Sequence, residues 1–442
     1  MRTSSLIGHV VEVLDIVRGG HRPADGVVRE FFRTRHYLGS SDRRYIADRT
    51  YDILRHEDLL AAYCGRGGLK PPYPSVALAV AHELRLRVPS PEDEQMASDF
   101  GGIWRVVVQD PPCDEFIGRV RAAPPPGEFP GDPAPSLALR HSMPPFVVAD
   151  WLTRFGPEET NELCAALNGS APVTIRVNTL KCTRTECRDA LTAAGIGSTL
   201  TPLSPVGLTL EKRVNIQGLR PFRLGWFEMQ DEGSQILSYL CGASEGMTVV
   251  DACAGGGGKS LHLAALMGNR GRIIAADVDG KKLENFLERA GRAGVRIAET
   301  VVVPPEAGSP FLRELEADVV LVDAPCSGVG TFRRNPWLKR AVTEGASAAF
   351  AAGQRRLLER YAAYTRPGGR LIYSTCTLVR RENRGVVESF GASHPEFEEL
   401  SVREILAGAG MEIDGGPDLS LELFPHRSGM DGFFAAVMRR RL

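Results

Sequence analysis

Residues 226–442 predict an α/β domain built on an open, mainly parallel sheet covered on both faces. Three observations predict it. Short β-rich runs, Thr248-Val249-Val250-Asp251, Arg272-Ile273-Ile274-Ala275-Ala276-Asp277, Asp318-Val319-Val320-Leu321-Val322-Asp323 and Arg370-Leu371-Ile372-Tyr373-Ser374, alternate with helical segments. Three of the four end on an acid, at the strand edge where open α/β sheets bind ligands. A glycine loop, Asp251-Ala252-Cys253-Ala254-Gly255-Gly256-Gly257-Gly258-Lys259-Ser260, leads from the first run into a helix that continues through Met267. Gly432-Phe433-Phe434-Ala435-Ala436-Val437-Met438 supplies a late strand.

The first 120 or so residues read as helical. Ile7, Val10, Val11, Leu14 and Val17 fall at helical spacing, and Ser41-Asp42-Arg43-Arg44 opens a helix whose Ile46, Ala47, Thr50, Ile53 and Leu54 share one face. Its other face carries Arg43, Arg44, Asp48, Arg49 and Arg55, either a solvated surface or a contact for RNA phosphates. A proline-rich stretch over 122–135 marks a linker, because proline is not tolerated in a helix interior. Two short helices over 146–155 and 158–167 follow, then the alternating strand Val173-Thr174-Ile175-Arg176-Val177-Asn178, a helix over 187–194 and short strands at 208–210 and 214–216. The expected domains are therefore 1–140, helical with its linker; 141–225, a small α+β module; and 226–442, the α/β domain.

The net charge of −1 gives no global basic field, although a local basic groove fits inside a neutral total. The nine cysteines lack paired metal spacing, and Met1-Arg2-Thr3-Ser4-Ser5 does not read as a secretory leader, so a reducing cytoplasm is expected, with no metal. No apolar run approaches the roughly 18 residues of a membrane span.

Consecutive glycines let a ligand approach the backbone, and the following helix aims its first amides at an anionic group. Lys259-Ser260 gives the loop some likeness to a P-loop, without a convincing magnesium-binding partner. Asp277, about twenty residues beyond the loop, suits a ribose diol, whether of a dinucleotide or of S-adenosylmethionine. The loop alone does not choose between them.

Two thiols at strand ends do choose. They lie in Asp323-Ala324-Pro325-Cys326-Ser327-Gly328 and in Tyr373-Ser374-Thr375-Cys376-Thr377. C5 of cytosine is a poor nucleophile until a thiolate adds to C6. The enamine-like ring can then take the electrophilic methyl of S-adenosylmethionine, and loss of the C5 proton and of the thiol restores it. An acid near N3 eases the addition, and Asp323, two residues before Pro325-Cys326, is placed for that role. Cys113, Cys164, Cys182 and Cys187 read as packing residues.

Together these motifs resemble the Sun-type (RsmB-like) RNA (cytosine-5)-methyltransferases. Arg176-Val177-Asn178-Thr179-Leu180-Lys181, Gln230-Asp231-Glu232-Gly233-Ser234-Gln235, Arg333-Arg334-Asn335-Pro336, Gln354, Pro367-Gly368-Gly369, Glu382-Asn383 and Asp431-Gly432-Phe433-Phe434 extend the likeness. Leu38-Gly39-Ser40-Ser41-Asp42-Arg43-Arg44 looks like part of a NusB-like domain. The resemblance implies an all-α NusB-like RNA-binding domain, the α+β module and a Rossmann-like S-adenosylmethionine-dependent methyltransferase domain. It implies that Cys376 is the nucleophile, that Cys326 serves product release, and that Asp323 lies near the base and the methyl donor. Lys259 and the backbone of Cys253, Ala254, Gly255, Gly256, Gly257 and Gly258 match the loop around the cofactor's methionine part, with Asp277 at its ribose. The nucleophile of DNA cytosine-5 methyltransferases belongs instead to the Pro-Cys motif, followed by a Glu-Asn-Val motif that this chain lacks. RNA is thus favoured: ribosomal RNA first, tRNA second, with a non-catalytic RNA-binding assembly factor as the rival from another class.

The chain departs from the family pattern in two places. Gly255-Gly256 replaces Ala-Pro, which adds about 1 kcal/mol to the cost of ordering the loop. The expected adenine-contacting acid is missing from Val301-Val302-Val303-Pro304-Pro305-Glu306, leaving Glu306 or the backbone for that contact. Arg333, Arg334, Arg340, Arg355 and Arg356, with Arg176 and Lys181, provide a candidate basic rim for a single-stranded or splayed cytosine.

Overall fold

Periodic apolar residues make the first part of the chain helical and also set which faces are buried. In the computed structural model, which describes residues 3–20, 22–87, 93–126, 132–304, 315–413 and 416–442, the chain divides into two units. Met1–Gly169 clusters with Phe332–Thr343, and Ser170–Thr331 with Glu344–Leu442. In the first unit, helix Thr3–Gly19 buries Ile7, Val10, Val11, Leu14 and Val17. Helix Ser40–Arg55 opens with the Asp42 carboxylate accepting from Gly39 N at 3.2 Å and buries Ile46, Thr50, Ile53 and Leu54. Its arginine face is not uniformly solvated. Arg55 is buried and donates to the Arg333 carbonyl at 3.2 Å, while Arg49 pairs with Glu83 at 3.2 Å.

The end of the proline-rich stretch enters helix Pro133–His141, capped by Asp132, which accepts from Ala134 N at 2.9 Å. Pro133 and Pro135 fall in its first turn, where a missing amide hydrogen costs little. The two helices expected over 146–167 form one run, Pro145–Asn168, broken at Gly156 (φ 77°) just before Pro157. This run clusters with the helical unit. Within 332–343, Lys339 is buried, and its Nζ donates to the carbonyls of Arg55 (2.7 Å) and His141 (3.0 Å) and to the side chain of Asn168. These three partners end three helices, so one ammonium meets three negative helix termini.

In the second unit, β1 (Val173–Val177), β2 (Ser198–Leu200), β3 (Gly207–Leu210) and β4 (Phe227–Met229) form an antiparallel sheet in the order β2-β3-β1-β4. The strand expected at 214–216 is absent. Val214 and Ile216 pack against the module's core, but the backbone there turns as a 3-10 helix, Ile216–Gly218.

The large sheet contains β5 (Thr248–Asp251), β6 (Arg272–Asp277), β7 (Ala298–Val302), β8 (Ala317–Asp323), β9 (Thr365–Thr375), β10 (Phe397–Glu399), β11 (Leu421–Leu423) and β12 (Phe433–Arg440). Its order is β10-β12-β9-β8-β5-β6-β7, with β11 on β12. β5 to β9 pair in parallel, and β12 runs antiparallel beside β9. Its centre is the core: Val249, Val250, Val320, Leu321, Val322 and Ile372 are all fully buried. Each such side chain contributes roughly 1.5–3 kcal/mol, so truncating Leu321 to alanine would strike both β5 and β9. The parallel register brings the ends of β5, β6, β8 and β9 to one edge of the sheet, with Asp323 opposite Ser374.

Candidate active site

The register of β8 and β9 determines where the two strand-end thiols meet. Cys326 lies three residues past Asp323 and Cys376 two past Ser374, and their Sγ atoms stand 3.4 Å apart. Both are half-buried and line a cavity of about 1000 Å³ together with Cys253, Gly255, Asp277, Val278, Lys282, Val303, Asp323, Arg356, Arg360 and Tyr361. The hydrogen bond to Cys376, then burial, holds Cys326 well above the usual thiol range. Cys253 is also pushed up, by burial and then by Asp251, Asp323 and Asp277, which makes it a poor thiolate despite its place in the cavity.

Lys259 projects from helix Gly258–Leu266, and its Nζ donates to Asp323 Oδ2 at 2.5 Å. Burial alone would lower the Lys259 ammonium. The charge and hydrogen bond of Asp323, followed by Asp251 and Cys376, outweigh burial and raise it. Ser374 Oγ donates to the other oxygen of Asp323 at 3.0 Å. Lys259, Asp323 and Ser374 thus form one connected polar group beside the thiols.

A second network fixes the two cysteine loops. Fully buried Glu382 accepts from Ser327 N (2.8 Å), Gln354 Nε2 (3.2 Å) and Ser347 Oγ (2.7 Å). Gln354 also donates to the Pro325 carbonyl at 2.9 Å, and Asn383 Nδ2 to the Thr377 carbonyl at 2.9 Å. The hydroxyls of Ser327 and Thr377 meet at 2.8 Å, and Gly330 N donates to the Cys376 carbonyl at 3.0 Å. Both loops therefore hang on Glu382-Asn383. In the sequence, Glu382, Asn383 and Gln354 stand only as points of resemblance, with nothing nearby to signal this bracing.

The glycine loop runs from β5 to the helix. Gly257 sits at φ 76°, and a Cβ there would stand 1.8 Å from Phe286, so only glycine fits. Asp277 accepts from Gly255 N (2.8 Å) and Asp279 N (2.9 Å), one bond on each oxygen. Gly255, Cys253 and Asp277 face the cavity; Ala254, Gly256, Gly257 and Gly258 shape the loop behind them. Arg176 is a correction to the basic rim. It is 2% exposed and donates to Gln230 Oε1 (2.5 Å) and the Gly258 carbonyl (2.6 Å). Arg333 is also buried, and Arg340 lies 3.6 Å from Glu57, whereas Arg356 and Arg360 line the cavity. Glu306 lies outside the described residues. Among the described residues no acid and thiol cluster could hold a metal, and no helix is long and apolar enough to cross a membrane.

Burial raises Asp251 to about 6, although Ser260 donates to it at 2.6 Å; its Oδ1 has no hydrogen-bond partner among the described residues. Between its unfolded value, about 3.9, and about 6, the folded state binds more protons than the unfolded state. Its contribution is therefore present below pH 4 and lost as pH rises through 6, a deficit of about 3 kcal/mol. Asp251→Asn should stabilise the fold relative to wild type at pH 7 and not at pH 4, as read by urea unfolding. A difference that is flat with pH would refute this assignment.

Comparison with known proteins agrees with this geometry. The family described as 16S rRNA methyltransferase RsmB/F matches residues 239–439, and the Methyltr_RsmF/B-like, ferredoxin-like domain matches 143–217. The Bacillus subtilis (strain 168) protein named probable ribosomal RNA small subunit methyltransferase B is 36% identical over 315 residues, 70% of this chain and 69% of that one. A protein of the same name from Synechocystis sp. is 30% identical over 430 residues, covering 92% of this chain and 93% of its own. The solved structure of PH0851 superposes with a TM-score of 0.80 at 25% identity, over 100% of this chain and 99% of that one. With a relative this similar over more than two thirds of both chains, the protein belongs to the RsmB/F family of methyltransferases.

Proposed function

We propose that this chain transfers a methyl group from S-adenosylmethionine to C5 of a cytosine in small-subunit ribosomal RNA, through a covalent bond between Cys376 and C6. The observation that carries this reading is the 3.4 Å pair of thiols on a cavity that also holds Asp323 and Asp277. The RNA class is supported by the relatives' names, ribosomal RNA small subunit methyltransferase B.

The residues present fit the cofactor. Each Asp277 oxygen keeps a lone pair for a ribose hydroxyl, the first amides of helix Gly258–Leu266 lack intrahelical partners, and the cavity has the volume of a large small-molecule cleft. Bound there, S-adenosylmethionine supplies an electrophilic methyl group. Exposed Val278 and buried Val303 offer apolar contact beyond Asp277.

Cys376 adds to C6 of a single-stranded or splayed cytosine, since a stacked base would not reach the thiol. The Lys259 ammonium, through the Asp323 carboxylate it is bonded to, supplies a proton to N3 as charge enters the ring and takes it back when the ring is restored. C5 would take the methyl that bound S-adenosylmethionine supplies, and its proton would then pass to solvent water. The C5–C6 double bond re-forms as Cys376 leaves, and Cys326, still a thiol, hands its proton to the departing sulfur. Arg356 and Arg360 position the phosphates.

Bisulfite sequencing of total RNA from cells with and without the gene tests this proposal. The expected result is one cytosine in small-subunit ribosomal RNA that loses its protection. A tRNA position instead would move the substrate, and no change in any RNA would overturn the reading. Calorimetry that finds no binding of S-adenosylmethionine at millimolar concentration, with RNA still bound, would make the chain a non-catalytic RNA-binding factor.

A further inference from the structure

Four consecutive glycines, Gly255 to Gly258, are costly to order, so whatever holds them bears on ligand affinity. Before the glycines, Ala254 N donates to the Ala276 carbonyl at 2.9 Å. Gly255 N donates to Asp277 at 2.8 Å, and the Gly258 carbonyl accepts from Arg176 at 2.6 Å. Between these ties, the Gly256 carbonyl accepts from Nη1 of Arg289, on helix Gly280–Ala293. Arg289 is itself braced: its Nε and Nη2 donate to Glu228 Oε2 at 3.3 and 3.0 Å, and the other oxygen of Glu228 accepts from Arg292. Glu228, on β4, is 5% exposed, so the partly exposed guanidinium is forked between a buried carboxylate and the loop.

A Cβ on residue 256 would stand 2.9 Å from Arg289 Nη1, closer than such atoms approach. A side chain at position 256 would therefore have to push the guanidinium, the far end of a flexible side chain, away from the loop carbonyl it bonds. Arg289 does not figure among the described residues that line the cavity, so it acts through the loop and not on a ligand.

We propose that Arg289, braced by Glu228, is a positioning residue that holds the glycine loop in its ligand-ready shape through the Gly256 carbonyl. This rests on reading the cavity as the S-adenosylmethionine site. Calorimetry of the full chain with S-adenosylmethionine is the test, on Arg289→Met, Gly256→Ala and the double variant. Each single change should weaken binding about tenfold, the value of one charge-assisted hydrogen bond. The double variant should be no weaker than the worse single, because both changes remove the same bond. In turnover the loss should appear in KM for the cofactor and not in kcat. Without ligand, the amides of 255–258 should exchange faster in Arg289→Met. If that variant does not fold, Glu228→Gln loosens the same guanidinium and should weaken binding in the same direction. A parent that binds S-adenosylmethionine while Arg289→Met stays within twofold of it, or a double variant showing the product of the two losses, would overturn the role of Arg289. A parent that binds none overturns the reading of the cavity, and this proposal with it.

Discussion

Cys376→Ala should abolish methylation, by more than about 1,000-fold in single-turnover rate, because it removes the proposed nucleophile. Cys326→Ala should behave differently. With the neighbouring thiol gone there is no proton donor at 3.4 Å for the departing sulfur, so the enzyme should remain joined to its RNA. Denaturing gels with labelled RNA would show this as a slow-migrating band that is absent with Cys376→Ala. The motifs separate the roles: Thr375-Cys376 resembles the family's nucleophile motif and Pro325-Cys326 its release motif. A band with Cys376→Ala and none with Cys326→Ala would reverse the assignment.

Glu382→Ala should cost about 3–5 kcal/mol of stability and reduce turnover at least about 100-fold, although Glu382 touches no substrate. Three donors from separate segments, Ser327 N, Gln354 Nε2 and Ser347 Oγ, would lose their acceptor at a site without water access. The loop bearing Cys326 would then lose its fixed distance to Cys376. Glu382→Gln keeps the volume but turns an amide hydrogen toward existing donors, so it should recover only part of the loss. Urea unfolding together with single-turnover kinetics measures both effects. An alanine variant of ordinary stability and near-normal rate would show that the loops are held by something else.

What could be read in the sequence was what is local. Valine and isoleucine runs ending on Asp251, Asp277 and Asp323 announced the parallel strands and their ligand edge, and both cysteines were visible as strand-end residues. Their closeness was not visible, because it comes from the pairing of Asp323 with Ser374 across fifty residues. Glu382 and Gln354 bond to partners up to 55 residues away and leave no periodic trace. Arg176 sits in an alternating strand and reads as an outward charge, yet its face is covered by the glycine loop. Arg289 and Lys339, basic residues on helices, likewise find their partners on other elements, which no local pattern signals. The short strands β10 and β11 leave no clear periodic signal because their three residues each mix polar and apolar types.

The place of Lys339 has a consequence for how the protein is made. The helical unit draws its last piece, Phe332–Thr343, from beyond the whole stretch 170–331. A ribosome adding about 5–20 residues each second would leave that unit incomplete for on the order of ten seconds or more after Gly169 has been added. During that interval the carbonyls of Arg55 and His141 lack their ammonium. The nascent helices should therefore lock only after β8 and the Cys326 loop have been synthesised, so assembly of this protein does not proceed strictly from its N-terminus.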